Sequence, residues 1–255
     1  MRALFFIALN GFRESRRNRV TVVVGLFALL LVFFTTFSFE LAVNTLDRAM
    51  TSVGIGFISL ISEVLAIFLA CGMLPREVER RTVFLVVSKP VSRTTFLVGR
   101  YLGNLATVLF VFSLMTGLFF LQFVVLRGTV TQAHLVALVG IVAEVVLLSA
   151  VGLLFSSFSS QFISVTTTVG LFFVGHMASD LYRLASASKA PAVKAVGLAL
   201  YYLLPNLERL DFKLRATHSL LTPPGELGAA LAYAGLYATL LVAVAAWIFE
   251  RRDFR

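Results

Sequence analysis

Six apolar runs divide the chain: residues 20–39, 53–74, 102–126, 135–155, 162–178 and 228–249. A helix of about 20 apolar residues crosses the hydrocarbon core of a bilayer, and each run reaches or approaches that length. None alternates with a period of two, and each is too long for a globular strand. In lipid, backbone groups must be satisfied within their own segment, so helices are the reading that physics allows. The pattern predicts an all-α integral membrane protein, a single domain over residues 1–255 with six transmembrane spans.

The polar separators carry structure of their own. Residues 1–19 contain an amphipathic stretch at 3–17, with Phe5, Ala8, Leu9 and Phe12 on one side and Asn10, Arg13, Glu14 and Arg17 roughly opposite. Such a helix lies in the membrane interface, with Arg13, Arg16 and Arg17 near anionic lipid headgroups. The block at 75–100 opens with Pro75 and holds six charged side chains between Arg76 and Lys89. Glu77 to Val87 can form a short helix, Ser88-Lys89-Pro90 breaks it, and Ser92 is placed to cap the helix that becomes the third span. The result is a helix–break–helix elbow. The 179–227 connection places Val193, Val196, Gly197, Leu200, Tyr201 and Leu204 in a helical stripe. Pro205 stops that helix, and Asn206 can cap another through "LERLDFKLR". Too short to cross, these pieces are predicted as a re-entrant or interfacial hairpin. Its alternative is a seventh span, against which the Arg251–Arg252 pair in the 250–255 tail argues.

Composition sharpens the class. Of 255 residues 59% are hydrophobic and 14% charged, against roughly 45–50% and 25% in an ordinary globular domain. Too few charges remain to coat a soluble surface. The net charge of +9 would suggest nucleic acid in a soluble protein, but here the basic residues flank apolar runs, which is the positive-inside pattern. Leaving out the long 179–227 connection, 14 Lys and Arg lie on the side of the termini and the 75–100 block, and two on the other. That side is predicted to be cytoplasmic. Cys71, the single cysteine, falls in an apolar run as an inert thiol, and the N-terminal arginine cluster stands where a signal peptide would have its cleavage site.

Little in the chain points to chemistry of its own. There is no phosphate-binding glycine loop, no Cys/His set at metal-ligand spacing and no nucleophile elbow, so neither a catalytic residue nor a metal site is expected. Glu63 and Glu144 stand out. Each lies near the middle of a span, where a carboxylate costs a few kcal/mol on insertion scales. Such residues line a translocation path or hold a proton; equally, they form structural hydrogen bonds between helices. Gln122, Ser149 and "SVTTTVG" (164–170) read as polar contacts between helices, and Gly99 and Gly103 in "GRYLG" allow one helix to approach another closely.

The stretch "REVERRTVFLVVSKPVSRTTFLVGRYLG" (76–103) resembles the signature of ABC-2 family permeases, in the branch that includes the copper-site assembly permease of nitrous oxide reductase and gliding-motility permeases. "FFVGH" (172–176) and "LLPNLERLDF" (203–212) are similar to later stretches of that branch. The resemblance implies a type V exporter-like fold: a cytoplasmic interfacial helix, six spans, a coupling helix between the second and third, and re-entrant outer helices between the fifth and sixth. It also implies a bacterial inner-membrane permease, both termini cytoplasmic, working with two copies of a separate ATP-binding subunit that holds ATP and Mg2+, while this chain binds no cofactor. A second permease, identical or a sister, would complete the transporter. Glu77, Glu79, Arg80, Arg81 and the turn from Pro90 through Ser92 to Arg93 would dock into the ATPase, with Phe84 as the apolar anchor. No nucleic acid is expected. Two other readings stay open: a proton-coupled secondary transporter using Glu63 and Glu144, against which the lack of an internal repeat argues, and a non-transporting membrane subunit of an ATPase-driven assembly machine. The substrate is not legible.

Overall fold

The structure, a computed structural model, describes residues 6–9, 22, 25–31, 33–34, 46–75, 92–126 and 128–251. Glu77, Glu79, Arg80, Arg81, Phe84 and Pro90 of the elbow, and Arg13, Arg16 and Arg17 of the N-terminal stretch, lie outside the described residues.

Helices account for nearly all of the described chain, and no strand occurs among those residues. The principal ones are α1 (Leu46–Cys71), α2 (Arg93–Val125), α3 (Gln132–Ser156), α4 (Gln161–His176), α5 (Ala178–Ala187), α6 (Pro191–Leu203), α7 (Lys213–Thr217) and α8 (Glu226–Arg251), with a single 3-10 turn at Glu208–Leu210. Their ends follow from local chemistry. Ser92 caps α2 by accepting the Thr95 N–H at 3.2 Å. Thr131 and His134 form a reciprocal capping box at the start of α3, and His134 reaches on to Thr51 of α1 at 3.0 Å. Proline opens α6, where its missing N–H costs nothing.

Four described helices are long and apolar enough to cross a bilayer: Asp47–Pro75, Arg93–Val125, Gln132–Ser156 and Glu226–Arg251. Helices α4 and α5 together make a fifth such unit, bent by 68° at Met177. The first expected span, 20–39, is described only in part, as a helix through residues 25–31 whose Phe27 and Leu31 enter the core. The molecule is a multi-pass membrane protein.

The most buried helix, α3, stands at the centre, packed by α1 and α8 and more lightly by α4 and α2. Helices α1 and α3 run the same way: Thr51 meets His134 at one end, and Gly152 faces Ala70 and Cys71 at the other. Helices α2 and α4 run the opposite way, while α8, which starts beside the plug and ends with Glu250 against Arg93 at the start of α2, runs with α1 and α3. Gly54 of α1 packs against Phe119 of α2, and the Cys71 Sγ lies 3.4 Å from the Thr168 hydroxyl of α4. The bundle thus has two ends, one where the elbow leaves and returns and one that carries the long connection between α4 and α8. Near the elbow end, Gly103 lets the backbone of residues 6–9 lie against α2, since a Cβ there would sit 2.6 Å from the Ala8 carbonyl. Of the two "GRYLG" glycines, Gly103 makes the close approach, to this segment.

Candidate functional site: an ion cluster beneath a plug

The connection from α4 to α8 turns back into the bundle. Residues 204–217 form a plug in which Leu207, Leu210, Phe212 and Ala216 are buried. Two glycines make room for it. A Cβ on Gly140 of α3 would stand 2.4 Å from the Leu210 carbonyl oxygen, and one on Gly175 of α4 would stand 2.8 Å from the Pro205 carbonyl oxygen. Those obstacles are backbone atoms, which cannot swing aside. The Leu207 N–H donates to the Gly175 carbonyl at 3.1 Å, pinning the plug where α4 ends. Asn206 does cap the turn that follows it, its Oδ1 accepting from the Arg209 N–H at 3.3 Å, though the helix expected through "LERLDFKLR" is split into a 3-10 turn and the short α7.

Several groups of α8 hold the plug from the other side. The Tyr233 hydroxyl accepts the Asn206 N–H at 2.8 Å, and just before the plug the Tyr237 hydroxyl donates to the carbonyl of Leu203, the last residue of α6, at 2.6 Å. The Arg215 guanidinium pairs with both oxygens of Glu226 at 2.6 and 2.8 Å, the two-pronged geometry that suits this pair best.

Seating the plug drives Lys213 into the bundle. Its Nζ donates to Ser59 Oγ at 3.0 Å and lies 3.7 Å from Glu63 Oε1, 3.6 Å from Glu144 Oε2 and 3.7 Å from Asp211 Oδ1. Ser59 in turn donates to Glu63. Glu63 is 3% exposed and Glu144 not at all. On its other oxygen Glu144 meets His176 Nε2 at 2.6 Å, at the last residue of α4, just before the bend. The ring of Phe172 lies against that histidine, with centroids 4.5 Å apart. Neither Glu144 oxygen has a well-directed hydrogen bond among the described residues; the two basic side chains beside it, His176 and Lys213, are its polar neighbours.

The electrostatics follow. Burial works against the charge on Lys213, but the carboxylates of Glu144, Glu63 and Asp211 outweigh it and hold the ammonium above its ordinary pKa. One lysine carried by the connection therefore cross-links α1 and α3, and His176 adds α4. A buried network of this kind adds little net stability over an apolar replacement, but removing one partner strands the others and is costly. Such an arrangement can act as a latch, firm while every member is present. Among the described residues no group of His, Cys, Asp and Glu has the geometry to hold a metal ion.

The structure thus brings together two residues that the sequence singles out, Glu63 and Glu144, and encloses them within one chain. It adds four that sequence reasoning passed over: Ser59, His176, Asp211 and Lys213. Both later stretches that carry the family resemblance touch this cluster, "FFVGH" through His176 and "LLPNLERLDF" through Asp211. Of the elbow residues, Ser92 caps α2 as described, and the Arg93 Nη1 donates to the Glu250 carbonyl at 3.2 Å, joining the start of α2 to the end of α8.

No curated protein matches the chain in sequence. Residues 5–254 match the model of the ABC-2 family transporter proteins, and the chain belongs to that family, the membrane permeases of ABC transporters, which have no nucleotide site of their own.

Proposed function

We propose that this permease is the membrane half of an ATP-driven exporter in a bacterial inner membrane. Both termini and the elbow face the cytoplasm, where two copies of an ABC ATP-binding subunit dock, and a second permease, identical or a sister, completes the complex. Glu77, Glu79, Arg80, Arg81, Phe84, Pro90, Ser92 and Arg93 form the docking face. ATP and Mg2+ belong to the partner.

One observation carries the reading. Helix α8, of 26 residues and so about 39 Å long, is fastened at both ends to parts that must move together. At the elbow end, Arg93, the first residue of α2 after the elbow, holds the Glu250 carbonyl. At the other end Glu226 and Tyr233 hold the plug, and Tyr237 holds the Leu203 carbonyl that leads into it. A displacement of the elbow by ATP-driven closure of the partner is passed along a stiff helix to the plug, and the Lys213 latch on Glu63 and Glu144 fixes its resting position. The plug then closes the outer side, and its withdrawal opens the way out. A secondary transporter has no use for such a linkage between a cytoplasmic elbow and an outer plug.

The test is co-purification from cells expressing the tagged permease with its ATP-binding subunit. An ATP-hydrolysing subunit should follow the tag, and Arg80→Glu combined with Arg81→Glu should release it. A double variant that keeps an active ATPase bound overturns the docking face. Glu226→Ala combined with Tyr233→Phe, which frees α8 from the plug and leaves the docking face intact, should retain the ATPase yet lose the ATP-dependent change in labelling of a cysteine placed on the plug. If that change persists, α8 is not the connecting element.

A further inference from the structure

We propose that His176 and Glu144 form a proton-binding site inside the protein, and that the proton it holds keeps the plug seated. The argument begins with the histidine ring. Nδ1 lies 2.9 Å from the Phe172 carbonyl oxygen. A carbonyl only accepts, so Nδ1 carries a hydrogen. The other nitrogen, Nε2, lies 2.6 Å from Glu144 Oε1. With Nδ1 protonated, a neutral ring would present a bare lone pair to a carboxylate at that distance, and the two would repel. Although the contact is not a well-directed hydrogen bond, the pair therefore carries one proton at this distance. The pair is either imidazolium with carboxylate or imidazole with carboxylic acid, and its sum is neutral in both forms.

Charge balance across the cluster gives the same result. From α1 the pair is faced by Glu63, with Ser59 between them and Lys213; from the plug by Lys213 and Asp211. On α5, Asp180 turns to Arg183 at 2.6 Å, and the Glu208 carboxylate accepts the Ser179 N–H at 2.8 Å. On α8, Tyr233 is engaged with the plug backbone and Tyr237 with the Leu203 carbonyl at the end of α6. With the pair neutral, Lys213 balances Glu63, and Asp211, a third exposed, is partly solvated. Withdrawing the shared proton leaves one more negative charge on a carboxylate that has no exposure to water, and a buried unpaired charge is among the most costly features a protein can hold. The available relief is separation: the end of α4 moves off α3, or the plug lifts and admits water. Because Gly175, next to His176, is bonded to Leu207 of the plug, either movement disturbs the same contact. Proton binding and plug seating are then linked, and linkage is reciprocal.

The sign follows. The seated state binds the additional proton, so seating is favoured at low pH and is lost as pH rises through the titration of the pair in the seated state. This site requires neither an ATPase nor a direction of transport, and its test uses the full-length chain alone in lipid nanodiscs. The reporter is Ala216→Cys, buried in the seated plug, in a Cys71→Ala background. Its rate of reaction with a maleimide is divided by that of Leu214→Cys, exposed on the same short helix, which removes the pH dependence of thiol chemistry itself. The ratio is expected to rise by about tenfold per pH unit across the titrating range, the limit for one linked proton. Glu144→Gln, which mimics the neutral pair permanently, should hold the ratio low and flat. His176→Gln, which removes one of the two groups that share the proton, should move the rise to a different pH. His218→Gln, outside the cluster, should change nothing. A flat wild-type ratio, or a rise that survives Glu144→Gln unaltered, overturns the proposal. Should Glu144→Gln not fold, His176→Gln decides: a shifted rise supports the site, and an unshifted one removes it.

Discussion

The connection between α4 and α8 contains two halves of opposite character. The first, α5 with α6, pairs with itself and leaves its apolar side chains outward: Leu184, Val193, Val196, Tyr202 and Leu203 are exposed, and only Ala178, Ala185 and Gly197 are buried. The second, the plug at 204–217, buries Leu207, Leu210, Phe212 and Ala216 and carries a charged lysine inward. They are neighbours in sequence, and the plug is the more charged of the two, with Glu208, Arg209, Asp211, Lys213 and Arg215 among its residues, yet it is the one that packs inside. What separates them is what each finds to pack against. Gly140 and Gly175 open a slot in the bundle for the plug backbone, and Tyr233 and Glu226 bind it. The hairpin finds no such slot, and in a multi-pass membrane protein its outward apolar face suits lipid. Hydrophobicity thus decides that a segment leaves water, while steric room and polar partners decide whether it enters protein or bilayer.

The contrast is broken most severely at Lys213. Lys213→Met keeps the length of the side chain and removes its charge, leaving Glu63 and Glu144 facing one another with only His176 to offset them. Losing one partner of a buried ion network costs about 3–5 kcal/mol. The midpoint of unfolding in mixed detergent should fall accordingly, and adding Glu63→Gln should recover part of the loss. Full stability in the single variant would mean that the lysine does not hold the plug. The pH dependence has a defined sign. Because the three carboxylates outweigh burial and hold Lys213 above its ordinary value of 10.5, its contribution is complete below that value and fades only as pH rises through the raised one. Any loss at lower pH belongs to the other members of the cluster.

A smaller break acts on the slot. Gly140→Ala sets a methyl group 2.4 Å from the Leu210 carbonyl, so the plug must shift or α3 must bend. Overpacking of this kind costs about 1–3 kcal/mol. Gly170→Ala, on α4 with nothing within 4 Å, serves as its counterpart and should leave unfolding within about 0.5 kcal/mol of wild type. Equal effects would deny the slot its role. Smaller again, Tyr233→Phe leaves the Asn206 N–H without its acceptor and should lower stability by about 1 kcal/mol, while raising the labelling of Ala216→Cys.

Much of this was legible beforehand. Long apolar runs announced the helices, and Ser92, Pro205 and Asn206 marked their ends where local bonding does place them. Glu63 and Glu144 stood out because a carboxylate inside an apolar run must have a partner. The partners were not legible. Lys213 lies in a segment that also carries Glu208, Asp211 and Arg215, where one more charge resembles a solvated surface, and only folding the chain back onto itself reveals that it points inward. His176 ends a span, where a histidine ordinarily meets headgroups. The contrast between hairpin and plug was hidden for the same reason. Both are short apolar stretches broken by proline and charge, and the slot that distinguishes them is built from glycines 35 positions apart on different helices.

The mildest perturbation falls on the hairpin and tests the other side of the contrast. Its two helices hold each other through a seam where Gly197 lies against Ala185 and the rings of Tyr182 and Tyr201 meet at 5.0 Å. Leu184 and Leu203, 73% and 72% exposed, take no part in it. Leu184→Ser and Leu203→Ser should therefore shift unfolding in detergent by less than about 0.5 kcal/mol, far below the effect of Lys213→Met. The two leucines should nevertheless face lipid. A tryptophan placed at residue 184 in a Trp247→Phe background should be quenched by brominated lipid, and one placed at the buried residue 210 should not. Quenching at neither position would mean that the hairpin stands in water, and its exposed apolar face would then need a protein partner rather than a bilayer.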